Sequence, residues 1–508
     1  MIETKTARVF FYFLLGFFLL LNLLTLPQYG MTWDEAAQHH VGKVALSYAT
    51  GQSDKIEFLR DDLKYYGPFF EAANQYFGRA FLESFSLGYV DAFHILIVLT
   101  AALGLLLFFK LTSRLFGERI ALWAAAFLML YPRFVAHAHY NSKDIPLAAG
   151  FIITLYCLYL AFFDHKRKYA IFAGIIFGLT LAVRLDAVLV LPVFFGAYLL
   201  RPDRFYNWKR DFRLLGIFIP ISALSVFAVW PSLWRTPRLF FEAITFFLNH
   251  GWQGSVLYFG KVYAAAALPW HYAPVYLAMA TPLLLLVLMI FGVVFFVRQI
   301  RNKERSFAYL LIFIWIGFRL GMAVLPGAVR YDGVRHFIFI LPAMMILAAV
   351  GLEWFIESIP RMKLAAIAIV FVWLLVEFFW IFPFGDSYFN EPTRLALAPH
   401  LEDKFEIEYW GSTYRQGAAW LAANAKPNSI ICVPLGDHLL QFYPMREDLS
   451  LGCVPNSDYL MFITRWTYLP TETEELFHYR EQTPVFTISR YGSDLLRVYY
   501  LTPPPSAL

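Results

Sequence analysis

A series of about eleven apolar runs, each closed by a short polar break, constrains this chain more than any other feature. A stretch of roughly 17–25 apolar residues can cross the hydrocarbon of a bilayer, and there it must satisfy its backbone internally, as a helix. The runs are Val9–Leu26, Tyr89–Phe109, Ile120–Tyr131, Ile145–Phe163, Tyr169–Val183, Ala187–Leu200, Leu214–Trp230, Pro274–Val297, Phe307–Leu325, Phe337–Ile356 and Leu364–Phe382. Several are shorter than a full span, and the two beside Arg184-Leu185-Asp186 read either as a short hairpin or as one broken helix. Val9–Leu26 is followed by Pro27-Gln28-Tyr29-Gly30, without a small-residue cleavage site, and so reads as an uncleaved first helix.

Composition agrees with a polytopic membrane protein. Charged residues make up 16% of the 508, where soluble domains carry about 25%. The net charge of +5 is spread over short clusters between apolar runs, which excludes a continuous nucleic-acid-binding face. These clusters orient the chain, since cytoplasmic loops are rich in Lys and Arg. With the N-terminus inside, the inner loops hold Lys110, Arg114 and Arg119; Lys166, Arg167 and Lys168; Arg201, Arg204, Lys209, Arg210 and Arg213; Arg298, Arg301, Lys303 and Arg305; and Arg361 and Lys363. Everything after Phe382 then falls outside.

The same orientation sends four polar segments to the outer face: Trp33-Asp34-Glu35, His137–Asp144, Arg184-Leu185-Asp186 and Arg330–His336. A transporter would place ionisable groups near the midplane on broken helices. Convergence at one interface suggests a site that works at the level of the lipid headgroups. The outer loops 27–88 and 231–271 are long and aromatic, with helical apolar spacing over Ala36–Ala49 and Phe69–Phe85, as for helices lying in the interface.

At Pro383 the composition turns polar. Ser412–Ala425 predicts a helix, and Ser429–Val433, Tyr459–Thr464 and Val485–Ser489 predict strands. The expected architecture is an all-α membrane domain over 1–383 and a small α/β extracytoplasmic domain over 384–508. Cys432 and Cys453 fall in that second domain, where a disulfide would suit an oxidising compartment, though spacing alone does not pair them.

The order of elements, with Trp33-Asp34-Glu35 just after the first helix, a long amphipathic loop, and an acidic residue after the third helix, resembles the GT-C glycosyltransferases. The segments His139–Pro146, Arg330–His336 and Glu408–Gly411 are similar to bacterial members of the glycosyltransferase family 39-like group, which contains protein O-mannosyltransferases and lipid A aminoarabinose transferases. The resemblance implies transfer of a sugar from a polyprenyl-phosphate donor to a lipid, glycan or protein acceptor at the outer face, with inversion. A bacterial plasma membrane is the implied location.

It also implies roles. Asp34 would be the base, Glu35 would orient acceptor or base, and Asp144 would be the second acidic residue. Arg330 and Arg335 would hold the departing phosphate, since a guanidinium can bind two phosphate oxygens at once. Lys143, Arg184 and Arg319 are further phosphate candidates, and His137, His139, Asp332 and His336 are other site candidates. His250, His271 and Tyr258 are weaker candidates for lining the site. Relatives differ in using a divalent ion, so a metal on His137 and His139 stays open.

Plainer readings stand beside these. Asp34, Glu35 and Asp144 could be helix caps, Arg330 and Arg335 interfacial anchors, Arg319 a snorkelling side chain, and the histidines simple hydrogen-bonding groups. At the level of function, the alternatives are a transporter or flippase of a lipid-linked sugar or other anion, and a non-enzymatic assembly protein.

Overall fold

The structure, a computed structural model, describes residues 4–54, 61–85, 87–202, 207–249, 251–299, 306–325, 327–328, 330–465, 467 and 482–501. Arg204, Arg301, Lys303, Arg305 and His250, read above as inner-loop cations and a site candidate, lie outside these residues. Every predicted apolar run is helical. In chain order the helices are α1 (Thr4–Leu24), the loop helices α2 (Glu35–Ala49) and α3 (Phe69–Phe85), then α4 (Tyr89–Phe116), α5 (Glu118–Met129), α6 (Pro132–Tyr140), α7 (Asp144–Phe162), α8 (Lys168–Leu181), α9 (Val190–Leu200) and α10 (Trp208–Val229). They continue with α11 (Ser232–Arg235), α12 (Leu239–Asn249), α13 (Tyr272–Met279), α14 (Leu283–Gln299), α15 (Ser306–Val324), α16 (Leu341–Ser358), α17 (Lys363–Ile381), α18 (Glu391–Leu397) and α19 (Tyr414–Asn424).

Among the described residues, seven helices are long and apolar enough to cross a membrane, or up to nine spans if two bent pairs each count as one. The chain is a multi-pass membrane protein, and the two runs beside Arg184 are the shorter helices α8 and α9. The bent pairs are α5 with α6, at 67°, and α13 with α14, at 117°. α8 has 14 residues and would reach only about 21 Å, short of a hydrocarbon core of about 30 Å. It ends before Arg184, whose backbone is extended, and a 3-10 turn over Leu185–Leu189 leads into α9. α8 packs on α7 and α10 while α9 packs on α15, so the ambiguous pair forms two separate helices.

The breaks have local causes. Pro132 occupies the first turn of α6 and forces Tyr131 out of helical geometry, with ψ at 111°. Pro282 lies between α13 and α14 and supplies no N–H. The carbonyls freed at the second break find donors at once. The Tyr131 hydroxyl donates to Ala280 O at 3.0 Å, and Asn390 Nδ2 donates to Ala278 O and Thr281 O, both at 2.9 Å. One bent helix thus seals the other, as apolar surroundings require.

The loop 231–271 holds α11, α12 and a hairpin of β1 (Ser255–Tyr258) and β2 (Lys261–Ala264). α12 exposes Phe241 and Leu248, as expected for a helix at an interface. The C-terminal sheet contains β3 (Ile430–Cys432), β4 (Ser450–Leu451), β5 (Tyr459–Ile463), β6 (Phe486–Arg490) and β7 (Ser493–Tyr500), in the order β4-β3-β5-β7-β6. β3 is parallel to β4 and β5, and β7 is antiparallel to β5 and β6. A disulfide joins Cys432 on β3 to Cys453 just beyond β4, stapling the two-residue edge strand to the sheet.

Candidate active site

Most of the polar segments picked out by sequence meet at one end of the helical bundle. Arg335 is their hub. Its guanidinium reaches Asp34 Oδ2 at 2.7 Å, Asp332 Oδ2 at 3.0 Å and Asp144 Oδ2 at 3.8 Å, and it lies 4.7 Å from the centre of the Trp410 ring. Asp144 turns its other oxygen to Arg184 at 2.6 Å, and Arg184 also pairs with Asp186 at 3.0 Å. Arg184 Nη2 donates to His336 Nδ1 at 3.4 Å.

Local chemistry explains why these side chains are available. Asp34 precedes α2 without capping it. The reciprocal role falls to Glu35, whose Oε1 accepts from Thr32 N at 2.6 Å and Thr32 Oγ1 at 2.8 Å. Its second oxygen meets His94 Nε2 at 2.9 Å, so Glu35 is consumed in a buried lock and does not face the cluster. At α7 the cap is Asn141, whose Oδ1 accepts from Lys143 N and Asp144 N at 3.1 and 2.8 Å. Its amide donates to Asp144 Oδ2 at 2.8 Å and His137 Nδ1 at 2.9 Å. Neither Asp34 nor Asp144 caps its helix through a side-chain hydrogen bond, and at α7 that task falls to Asn141.

The turn Tyr331–Val334 is shaped by backbone that few residues adopt. Asp332 and Gly333 have φ of 52° and 57°, and a Cβ on Gly333 would stand 2.6 Å from the Tyr276 ring. This geometry directs Asp332 between Arg335 and Arg465, the latter at 3.4 Å. Burial pushes the Asp332 carboxyl above its ordinary range, against the pull of Arg335 and Arg465.

One expectation requires correction. Arg330 stands outside the ion cluster: its guanidinium donates to the carbonyls of Ala323, Leu268 (3.0 Å) and Leu325 (2.7 Å), covering the C-terminal end of α15. The His137–Tyr140 stretch is helical, because Pro132 opens α6. Two residues apart on a helix, His137 and His139 face different surroundings. His139 stacks on Tyr29 at 3.5 Å, and its ring nitrogens meet the carbonyls of Val135 and Asn22. Among the described residues no three His, Cys, Asp or Glu side chains form a group that could hold a metal ion.

The remaining candidates form a second layer. Lys143 Nζ lies 3.7 Å from Glu71 Oε1 and 5.4 Å from the Tyr66 ring centre, and burial lowers its pKa. Arg319 sits 4.6 Å over the Phe337 ring and adds to the positive field on Asp186. Tyr258 and His271 hydrogen-bond each other at 2.9 Å. Side-chain exposure separates the three hub carboxylates: Asp34 is 34% exposed, Asp332 7% and Asp144 3%. Of the three, Asp34 is the one open to an incoming molecule; Asp186, the outer partner of Arg184, is also 34% exposed.

Sequence reasoning missed Glu71 and Arg465, and it quoted Trp410 within Glu408–Gly411 without giving it a role. Glu71 lies on an amphipathic helix whose polar side looks like ordinary interfacial surface. Trp410 and Arg465 arrive from the C-terminal domain, and no spacing rule connects them to residue 335.

Residues 77–230 match the family model described as dolichyl-phosphate-mannose-protein mannosyltransferase. The fold is similar over almost its whole length to ArnT from Cupriavidus metallidurans. In the apo state of that protein the TM-score is 0.53 at 13% identity, covering 97% of this chain and 98% of the other. Bound to undecaprenyl phosphate, it matches with a TM-score of 0.51 at 14% identity, covering 98% of both chains. No curated protein sequence matches the chain significantly.

Proposed function

We propose that this chain, whose architecture is the GT-C glycosyltransferase fold, moves a sugar from a polyprenyl-phosphate donor to an acceptor at the outer membrane face. The observation that carries this reading is the pairing of a partly exposed carboxylate, Asp34, with a guanidinium, Arg335, in a network of buried charges at one bundle end. The undecaprenyl phosphate bound by the similar ArnT structure supports a lipid phosphate as donor carrier. A disulfide in the C-terminal domain suits an oxidising compartment and supports an extracytoplasmic site.

In this reading Asp34 takes the proton of the acceptor hydroxyl as its oxygen bonds to the anomeric carbon. The bond from that carbon to the phosphate oxygen breaks, and the lipid phosphate leaves with the electron pair. Attack opposite the leaving group inverts the configuration. Arg335 and Arg184 stabilise the charge that develops on the departing phosphate, with Lys143 behind them. Asp144 and Asp332 are too buried to meet substrate and instead hold the two guanidinium groups in place. Glu35 keeps the start of α2 fixed through His94.

The test is turnover by the purified chain in nanodiscs, with undecaprenyl- and dolichyl-phosphate-linked sugars as donors and free polyprenyl phosphate as readout. Asp34→Asn should fold normally and lose about 10²–10⁴-fold in rate. Donor turnover that survives this change would remove Asp34 from the chemistry. Wild-type protein that releases no phosphate from either class of donor would end the glycosyl-transfer reading.

A further inference from the structure

Asp34 and Arg335 lie 301 positions apart in the chain, and one residue of the C-terminal domain touches the surroundings of both. The carbonyl of Trp410 accepts from Trp33 N at 2.7 Å, fixing the backbone immediately before Asp34. The indole of the same residue covers Arg335, with the guanidinium carbon 4.7 Å from the ring centre. Trp410 is itself immobilised. It is buried, meets Tyr140 edge-on at 5.7 Å, and lies 5.4 Å from His137.

The neighbouring contacts serve the same end. Arg465 Nη1 donates to Tyr409 O at 2.9 Å while Nη2 reaches Asp332, tying the 409–410 backbone to the Arg335 turn. Met31 N donates to Tyr443 Oη at 2.7 Å, Arg415 Nη1 donates to Tyr29 O at 3.1 Å, and a side chain on Gly30 would collide with Ser412 O. The segment leading to Asp34 is therefore held by the C-terminal domain and not by α1 alone.

We infer that Trp410 is a positioning residue that sets the Asp34–Arg335 pair in register, so that the C-terminal domain is part of the catalytic unit. This rests on the glycosyl-transfer reading for its kinetic consequence, but not for its structural one. A guanidinium lying against an aromatic face is confined to the plane of that face, and a planar donor held this way loses less freedom on meeting carboxylate or phosphate. Three carboxylates compete for Arg335, and the indole closes off a further side of it. Without that wall the guanidinium can settle between Asp144 and Asp332 and leave Asp34 unpaired. All substitutions at 410 keep the carbonyl that holds Trp33, and a cycle with Arg335 separates the guanidinium contact from the packing of the indole on Tyr140 and His137.

The experiment compares Trp410→Leu and Trp410→Phe in nanodiscs by donor kinetics and thermal unfolding. Trp410→Leu should lower kcat about 10–100-fold with donor KM changed less than about threefold, since the loss falls on alignment in the transition state. Trp410→Phe, which keeps an aromatic face, should recover most of kcat. Equal losses in both variants, or none in either, would overturn the inference. A double-mutant cycle with Arg335→Met reads the same contact without substrate: the Tm shift of the double variant should be smaller than the sum of the single shifts. Additive shifts overturn the inference whatever the enzyme transfers, and Trp410→Met, which also removes the aromatic face, enters the cycle if Trp410→Leu does not fold. Wild-type inactivity combined with a coupled cycle would reject the transfer reading and leave the positioning contact standing.

Discussion

The two ends of the helical bundle use charge in opposite ways. At one end, Asp144, Asp332, Arg335 and Lys143 are nearly enclosed and interlocked across segments from distant parts of the chain. At the other end, Arg114 and Lys166 share Asp164 at 3.5 and 3.6 Å, with both cations about half exposed. Arg8 pairs with Glu118 there in the same open manner. Enclosed charges must be justified by partners, because desolvation costs several kcal/mol per ion. Exposed pairs carry little energy and are free to serve as topology signals. The contrast teaches that charge in the Arg335 network is enclosed and interlocked while charge in the Arg8, Arg114 and Lys166 pairs is open to solvent, a difference that burial shows and sequence alone does not.

The sharpest attack on this contrast is to empty one position in the enclosed set. Asp144→Ala removes the 2.6 Å partner of Arg184 and leaves a buried guanidinium with less compensation. Breaking a buried pair costs about 3–5 kcal/mol, and the low end is expected because Asp186 still holds Arg184. Thermal or denaturant unfolding in detergent measures it. A cost under about 1 kcal/mol would mean that the two ends do not differ in kind.

A second test uses a residue that sequence assigned to the wrong set. Arg330→Met removes donors from the carbonyls of Ala323, Leu268 and Leu325. Stability should fall by about 1.5–3 kcal/mol, the range for hydrogen bonds from a charged group, while donor KM stays within about twofold. Arg335→Met should show the reverse emphasis, with donor KM and kcat both impaired. If Arg330→Met weakens the donor as Arg335→Met does, the guanidinium of Arg330 belongs to the phosphate set after all.

Much of this organisation was legible in the residues, and the rest was hidden for identifiable reasons. All the apolar runs became helices, because hydropathy acts locally and a bilayer leaves no alternative. Asp34, Asp144, Arg184 and Arg335 stand out because ionisable groups beside apolar runs are conspicuous, and the structure joins them in one ion network. The strand β7 was overlooked although its cue was present: Tyr491 and Gly492, with φ of 57° and 73°, form the tight turn that pairs it with β6. Pro132 announced α6 in the same way. No such cue existed for the carbonyl partners of Arg330 or for Arg465, and Trp410, although it stands in the Glu408–Gly411 segment, meets Arg335 only because the C-terminal domain docks. Glu35 misled for the opposite reason, since its acidic side chain next to Asp34 turns inward to His94.

A third prediction concerns the junction between the domains, where Asp386 and Glu408 are both buried and Ser412 Oγ lies 3.4 Å from each. Burial, then the neighbouring Asp386, pushes Glu408 up to about 8, and burial also raises Asp386. A carboxyl whose folded pKa exceeds its unfolded value of about 4.3 binds its proton more tightly when folded. Its contribution to stability is fully present below the unfolded pKa and is lost as pH rises toward 8. Tm should therefore decline between about pH 5 and pH 8.5, and Glu408→Gln should flatten that decline. An unchanged slope in the variant would show that Glu408 does not titrate above its unfolded value.

The smallest expected effect lies at the open end, and it is the one that gives the comparison its lower bound. Asp164→Asn removes the shared partner of Arg114 and Lys166, which are 50% and 51% exposed. Water and counter-ions already screen both cations, and holding two long side chains in one geometry costs rotamer entropy. The change should cost about 0–1 kcal/mol, shrink further in high salt, and leave kcat and donor KM untouched. If it instead destabilised the protein as strongly as Asp144→Ala, exposure would not be what separates the two sets. A cost that persists in high salt would point to hydrogen-bond geometry at that end, because a screened Coulomb pair cannot behave so. Either result would require the orienting cations to be read as structural in their own right.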